Sequence, residues 1–241
     1  MDPRAGAVGV SALWNYVTDN LGLIGERTLQ HIAISGASLG IALVVALPLG
    51  LWLGHTGRGA LIAVNSSNIG RALPSLALIA LFLGVFGLSN TTTIVALAAL
   101  GIPPILTNAY TGVREVDRDV VEAARGMGMR GSQILRDVEL PLAAPVILAG
   151  VRTSAVQIVA TATLGAVIAG GGLGRFITDG FAVHDTAQIL TGAITVALLS
   201  IATELSLGGL EHAVTPAGLR VRRGGPAPPR LSAADQVTEV A

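Results

Sequence analysis

The longest stretch of the chain without a charged residue runs from Ala72 to Val113 and contains 42 residues. At about 1.5 Å per residue, a single helix of this length would be about twice as long as a bilayer crossing requires. A turn signal, Gly-Leu-Ser-Asn-Thr at 87–91, lies in its middle. We therefore predict a helical hairpin, with one helix over about 72–88 and the next over about 92–112.

Three further apolar stretches are long enough to cross a bilayer: 32–54, 142–169 and 186–210. The whole chain is 51% hydrophobic and only 12% charged, with a mean hydropathy of +0.69. Soluble domains carry roughly a quarter charged residues, so an ordinary soluble domain, a disordered chain and a fibrous chain are excluded. We predict an all-α polytopic membrane protein with five transmembrane helices.

The arginines are distributed unequally between the connections of these helices. Eleven lie on one side and three on the other, and arginine-rich connections face the cytoplasm. We therefore predict that the N-terminus is outside and the C-terminus is in the cytoplasm. The larger set is Arg58, Arg71, Arg114, Arg118, Arg125, Arg130, Arg136, Arg220, Arg222, Arg223 and Arg230, and the smaller set is Arg4, Arg27 and Arg175.

The two ends of the chain differ from its apolar centre. Residues 11–30 are predicted either as a short amphipathic helix at the outer interface, anchored by Trp14 and Tyr16, or as a partly ordered lead-in. The last residues contain proline and glycine without apolar periodicity, which is typical of a disordered cytoplasmic tail. The predicted domains are the lead-in at 1–30, the transmembrane domain at 31–212 and the tail at 213–241.

Cysteine and lysine are both absent, since all 15 basic residues are arginine. Disulfides, thiolate nucleophiles, iron–sulfur clusters and zinc–thiolate sites are therefore excluded, as are a P-loop, a Schiff base and a Ser–Lys dyad. A net charge of zero gives no electrostatic case for nucleic acid. We predict no metal site and no catalytic residue. The four histidines lie singly near predicted helix ends, without metal-ligand spacing: His31, His55, His184 and His212.

The connection at 114–141 is long, rich in charges of both signs, and cytoplasmic on the arginine argument. We predict two short helices in it. Asp119 caps the first, with Glu122 reaching back to the cap, and Gly126 and Gly128 end it. The second runs from about Ser132 to Val138 and ends at Leu140-Pro141. An intramembrane protease would need a buried Ser–His pair or twin aspartates within the spans, but Asp179 and Asp185 fall in a predicted outer loop. The other alternative, a small oligomeric channel, would leave the loop at 114–141 unexplained.

The loop also carries a spaced motif. Glu122-Ala123-Ala124 is followed by three residues and Gly128, then by nine residues, Val138, one residue and Leu140-Pro141. This pattern resembles the EAA loop of binding-protein-dependent ABC importer permeases, with valine where the family usually has isoleucine. The segments at 71–78, 161–165 and 170–177 are similar to permeases for glycine betaine, carnitine and choline.

The resemblance implies a type I ABC importer permease fold. It also implies that the loop docks on a cytoplasmic ABC ATPase dimer, that a second permease chain, identical or related, completes the pathway, and that an extracytoplasmic binding protein delivers the solute. ATP and Mg²⁺ belong to the ATPase, and this chain carries no cofactor. The expected location is the plasma membrane of a prokaryote, and the alternative solute is another small molecule such as methionine. The implied ATPase-coupling residues are Glu122, Ala123, Ala124, Gly128, Leu140 and Pro141.

Charges inside the membrane are costly unless they pair or reach the interface. We predict that Arg152 pairs with Glu204 or meets a helix carbonyl end, as a static tie between two helices or as a contact that changes between states. Arg71 belongs to the same layer if the second helix begins nearer Ala60 and contains it.

Glycine and proline mark a possible gate or pathway. The glycines from Gly170 to Gly174 cannot continue a helix comfortably, which predicts a re-entrant or gate-like turn. Single glycines are predicted to permit close helix packing at Gly36, Gly40, Gly50, Gly150 and Gly165. The candidate gate or pathway residues are Pro74, Ser75, Gly170, Gly171 and Gly172.

Overall fold

The computed structural model describes residues 9–59, 74–168 and 170–214, together with 61, 65 and 68. All the elements in this part of the chain are helical, as predicted. The described residues form nine α-helices, with a π-helix at Leu135–Glu139 and a 3₁₀-helix at Ala162–Ile168. The α-helices are α1 (Val10–Asp19), α2 (Leu21–Thr56), α3 (Ser75–Phe86), α4 (Asn90–Arg114), α5 (Arg118–Gly126), α6 (Gly131–Ile134), α7 (Leu140–Thr161), α8 (Gly174–Val183) and α9 (Thr186–Val214).

Within the described ranges, four continuous helical stretches are long and apolar enough to cross a bilayer. They are α2, α4, α9 and the run Gly131–Ile168. The first arm of the predicted hairpin, α3, has 12 described residues, or about 18 Å, and a bilayer core is about 30 Å thick. The alternative start near Ala60, and Arg71 with it, lie outside the described residues. Five spans and their orientation stay a prediction.

The helix α2 begins earlier than predicted. Residues 21–30 belong to it rather than to a separate interfacial helix, and α1 ends at Asp19. The reason is local, because Asn20 interrupts the helix and its side chain donates to the Tyr16 carbonyl at 2.8 Å. Trp14 is exposed, whereas Tyr16 packs against the core. Burial, and then the charges of Asp185 and Asp179, raise the pKa of Tyr16.

The core lies along α4, which packs against α2 on one side and α7 on the other, and α9 covers α7. The helices α2 and α4 approach closely at Gly50 and Gly54, one turn apart on α2. A Cβ at Gly50 would lie 2.6 Å from Cβ of Ala109, and one at Gly54 would lie 2.8 Å from Cβ of Val113. Gly150 and Gly165 are similarly crowded, as predicted, but Gly36 and Gly40 have open space around them, so that prediction is wrong for these two.

The second loop helix does not end at Leu140-Pro141, so that prediction is wrong. The chain continues without a break from α6 through the π-helix into α7. Proline is disruptive in a helix interior because it lacks an N–H and because its ring clashes with the carbonyl four residues earlier. Here Pro141 follows the π-helix, whose wider turn relaxes that crowding.

At the other end of the chain, α9 extends to Val214 and residues 215–241, most of the predicted tail, lie outside the described residues.

Candidate functional site

The helix α5 carries the first part of the spaced motif. Its N-cap is Asp117, whose side chain accepts from the Asp119 N–H at 3.0 Å. The prediction that Asp119 caps this helix is therefore wrong, because Asp117 is the residue with extended backbone geometry and Asp119 already lies in the first turn. The cap does not involve Glu122, so its carboxylate is left exposed to other partners.

The predicted stop at Gly126 and Gly128 is present. Gly128 has a φ of +83°, its N–H donates to the Arg125 carbonyl at 2.9 Å, and the Met129 N–H donates to the Ala124 carbonyl at 3.2 Å. These two bonds form a Schellman motif, which favours glycine at the left-handed position. The motif turns the chain sharply after α5 and fixes the angle between α5 and α6.

The two alanines of the motif face opposite ways. Ala124 is 2% exposed and packs inside this chain, whereas Ala123 is exposed. Of these two implied ATPase-coupling residues, Ala123 is therefore the one that is accessible to a partner. The exposed apolar side chains are instead Val120, Ala123 and Met127, which recur at i, i+3 and i+7 and so share one face. Val120 and Met127 were missed, although their helical spacing with Ala123 is visible in the sequence.

A cleft of about 160 Å³ separates α5 from the ends of α2 and α4. Glu122 lines it, together with His55, Glu139 and three arginines. We call this end of the bundle the loop end. The arginines are Arg114, Arg118 and Arg125.

The loop end is joined to α2 by a polar contact that sequence analysis missed. His55 Nδ1 lies 2.5 Å from Oε2 of Glu139. His55 is partly exposed and Glu139 is buried. The motif residues that follow differ in their surroundings: Leu140 packs against the cluster around Ala109 and Val113, and Pro141 is exposed. No local pattern connects residues 55 and 139, so only the fold reveals the pair.

At the opposite end, which we call the turn end, the glycine-rich segment forms the predicted turn between the 3₁₀-helix and α8. Three successive backbone N–H groups donate to side chains. Gly171 donates to Asn90 Oδ1 at 2.9 Å, Gly172 donates to Gln30 Oε1 at 2.9 Å, and Leu173 donates to His31 Nδ1 at 3.3 Å. His31 Nε2 in turn donates to the Val159 carbonyl at 2.9 Å. These bonds tie the turn to α2, α4 and α7.

The other candidate pathway residues are placed as follows. Pro74 is the N-cap of α3, and Ser75 is its first residue. Gly170 lies against Thr93 and Gly165, where a Cβ would come within 2.9 Å of the Thr93 hydroxyl. Within the described part of the chain, Pro74 and Ser75 make no hydrogen bond to the glycine turn.

The predicted intramembrane pair is present. Arg152 Nη1 lies 3.3 Å from Glu204 Oε1. A second carboxylate, Glu211, lies 3.4 Å from Arg152 Nη2. Glu211 follows Glu204 by seven residues, or two helical turns, so both project from the same face of α9. That spacing was the signal from which Glu211 was identifiable in the sequence.

Comparison with known proteins gives consistent results. The model of the family described as "binding-protein-dependent transport system inner membrane component" matches residues 46–216. The chain is 40% identical over 205 residues to the choline transport system permease protein OpuBB of Bacillus subtilis, covering 85% of this chain and 94% of that protein. It is 37% identical over 211 residues to the glycine betaine/carnitine/choline transport system permease protein OpuCB of the same organism, covering 88% and 97%.

Solved structures share the fold. A chain of the MetNI methionine ABC transporter in an inward-facing conformation superposes with a TM-score of 0.71 at 23% identity, covering 82% of this chain and 99% of that one. A chain of an amino acid ABC transporter crystallised with histidines gives a TM-score of 0.68 at 19% identity, covering 86% and 99%. At these identities the likeness concerns the fold alone.

Proposed function

Since this chain belongs to the family of binding-protein-dependent transport system inner membrane components, we propose that it carries a quaternary-ammonium osmoprotectant across the membrane. It is a multi-pass permease subunit with the type I ABC importer fold, and its role is transport rather than catalysis. The proposed solutes are glycine betaine, choline and carnitine. The observation that carries the proposal is the 40% identity to a choline permease over 94% of that protein.

Several relatives support this solute class over the alternative. The proteins at 37% to 40% identity are named for choline, carnitine or glycine betaine. The methionine transporter resembles this chain only in fold, at 23% identity. Quaternary ammonium groups are held by aromatic cages, and this chain has only two Trp, two Tyr and four Phe. Selection of the solute therefore belongs to a separate extracytoplasmic binding protein, and this chain supplies a path of low affinity.

The exposed face of α5 is the proposed docking surface for the ATPase. Val120, Ala123 and Met127 offer a narrow apolar stripe, and Glu122, which lines the cleft on the neighbouring side of α5, adds an exposed charge. Because Asp117 caps the helix, the carboxylate of Glu122 is available for a polar contact across the interface. The ATPase dimer binds ATP and Mg²⁺, and closure of the dimer moves α5. A second permease chain completes the pathway, in the plasma membrane of a prokaryote.

Reconstitution tests the solute. The permease, its ATPase and its binding protein are placed together in proteoliposomes, and ATP-dependent uptake of labelled glycine betaine, choline, carnitine and methionine is compared. We expect uptake of at least one quaternary ammonium compound and none of methionine. The reverse result would reject the osmoprotectant assignment while leaving the family membership intact.

A further inference from the structure

At the loop end, α2 is hydrogen-bonded to the segment that joins α5 to α7. His55 is the last residue but one of α2, and its Nδ1 donates to Glu139 Oε2 at 2.5 Å. Glu139 is only 5% exposed, and a buried carboxylate is stable only when it is hydrogen-bonded or paired. His55 provides that partner. The contact thus fixes the separation of two elements that lie 84 residues apart in the chain.

The same imidazole touches the beginning of that segment. A Cβ built on Gly131 would lie 3.3 Å from His55 Nε2, so the ring lies close to this glycine. We call residues 131–139, which comprise α6 and the π-helix, the coupling linker. His55 therefore lies against both ends of the coupling linker, with Gly131 at one nitrogen and Glu139 at the other.

The junction between the coupling linker and α7 has fewer backbone hydrogen bonds than a regular helix. Pro141 and Pro145 have no N–H, so they cannot donate to the carbonyls of Asp137 and Pro141. A π-helix precedes them, and such turns interrupt the regular ladder of a helix. The position of the linker therefore depends on side-chain contacts from other elements, and the bond between Glu139 and His55 links it to α2.

The element at the other end of this contact is well fixed. Through Gly50 and Gly54, α2 packs against α4 with almost no space between the two backbones. Closely packed elements move together rather than deform. A displacement of the coupling linker therefore reaches α2 and, through it, α4.

We propose that His55 and Glu139 are positioning residues that carry the motion of α5 to α2, in parallel with the covalent route into α7. This inference rests on the proposed function, because it gives the pair a part in coupling ATP hydrolysis to transport. It predicts that loss of the pair lets the ATPase turn over without moving the membrane helices to the same extent.

The test measures ATP hydrolysis and uptake of labelled glycine betaine in one preparation of the reconstituted transporter. His55→Ala and Glu139→Ala are expected to lower the solute moved per ATP hydrolysed by about 2- to 30-fold, the range for residues that link two sites. His55→Asn keeps a donor near the position of Nδ1 and is expected to recover most of the ratio. The double alanine variant is expected to be no worse than either single variant, because the two residues act as one unit.

Thr56→Ala is the matched control, since within the described residues the Thr56 hydroxyl bonds to carbonyls of its own helix, and its ratio should equal that of the wild type. If an alanine variant at 55 does not assemble with the ATPase, His55→Phe replaces it, because it keeps a ring but no donor, and the same loss is expected. A wild-type ratio in these variants would overturn the inference and leave the proposed function standing. A wild-type complex that moves no solute on addition of ATP would instead overturn both.

Discussion

The helix α2 carries two histidines, His31 beside the glycine turn and His55 at the loop end, and they differ in what surrounds them. His31, at the turn end, is fully buried, and both of its nitrogens bond to backbone groups, the Leu173 N–H and the Val159 carbonyl. His55, at the loop end, is partly exposed, and its partner is the side chain of Glu139. They are 24 residues apart, or about 36 Å along the helix.

The difference separates two roles that one helix performs. A histidine that accepts at Nδ1 and donates at Nε2 is a neutral imidazole in one tautomer, so His31 holds the glycine turn in one arrangement. The bond of His55 joins two side chains beside an open cleft, and such a bond can be broken and remade as the loop moves. The turn end is therefore the fixed end of α2, and the loop end is the responsive one.

The largest effect on stability is expected at the turn end. His31→Ala leaves the Leu173 N–H and the Val159 carbonyl without partners, and each buried orphan group costs about 1–3 kcal/mol. The loss should therefore reach at least about 2 kcal/mol, seen as a lower midpoint of thermal unfolding in detergent. It should exceed the loss in His55→Ala, because Glu139 lines the open cleft and water can take the place of the imidazole there. His184→Asn is the control, because His184 is exposed and has a φ of +58° that asparagine tolerates. Equal losses at residues 31 and 55 would remove the distinction between the two ends.

The next effect concerns function at the loop end without a change in stability. Glu122→Lys reverses a charge on the proposed docking face, and loss of one charge partner across an interface costs about 2 kcal/mol or more. Uptake in proteoliposomes should fall by about 30-fold, while insertion and thermal unfolding stay as in the wild type. Glu115→Lys makes the same charge change elsewhere in the loop and should leave uptake largely intact. Wild-type uptake in Glu122→Lys would count against docking through this face.

Two glycines with nearly equal backbone angles sharpen the comparison further. Gly128 at the loop end has a φ of +83° and open space around it, whereas Gly172 at the turn end has a φ of +86° and lies against His31. Gly128→Ala should cost about 1–2 kcal/mol from backbone strain alone. Gly172→Ala should cost more, because the new Cβ would lie 2.9 Å from His31 Nδ1. Chemical denaturation of the two variants measures the difference, and equal values would show that the turn yields easily.

The smallest effect tests the cap of α5. Asp117→Ala removes the side-chain acceptor for the Asp119 N–H, which is worth about 1 kcal/mol. Amide hydrogen exchange in the first turn of α5 should accelerate by about fivefold, with global stability nearly unchanged. Asp119→Ala should have a smaller effect, since its side chain does not cap. A larger acceleration of exchange in Asp119→Ala than in Asp117→Ala would show that Asp119 is the cap, as the sequence pattern predicted.

The spans were predictable because the bilayer imposes a simple rule. A helix core without charges is required for crossing, and α2, α4 and α9 follow it closely. Their ends were not predictable by the same rule. Glu26 and Arg27 interrupt the apolar run, yet α2 continues through them, because Glu26 is exposed and Arg27 bonds to Gln30 within the helix.

The site was predictable where its signal was local. The spacing from Glu122 to Pro141 identified the loop, and the depth of Arg152 and Glu204 identified their pairing. The orientation of Ala124 was not predictable, since burial within α5 depends on how the helix lies across α2 and α4. His31 and His55 were both predicted as single histidines near helix ends. Their partners were not predictable, because these residues are distant in the chain and each contact exists only in the folded protein.

The number of residues in the π-helix before Leu140 sets how the preceding residues are oriented about the helix axis. One residue more or fewer in this turn would rotate the preceding residues by about 100° about the helix axis, and Gly131 would no longer lie against His55 of α2. A shortened linker would thus present α5 at another angle even if the remaining loop sequence were untouched. Length at this point of the chain is as strict a requirement as the identity of any side chain.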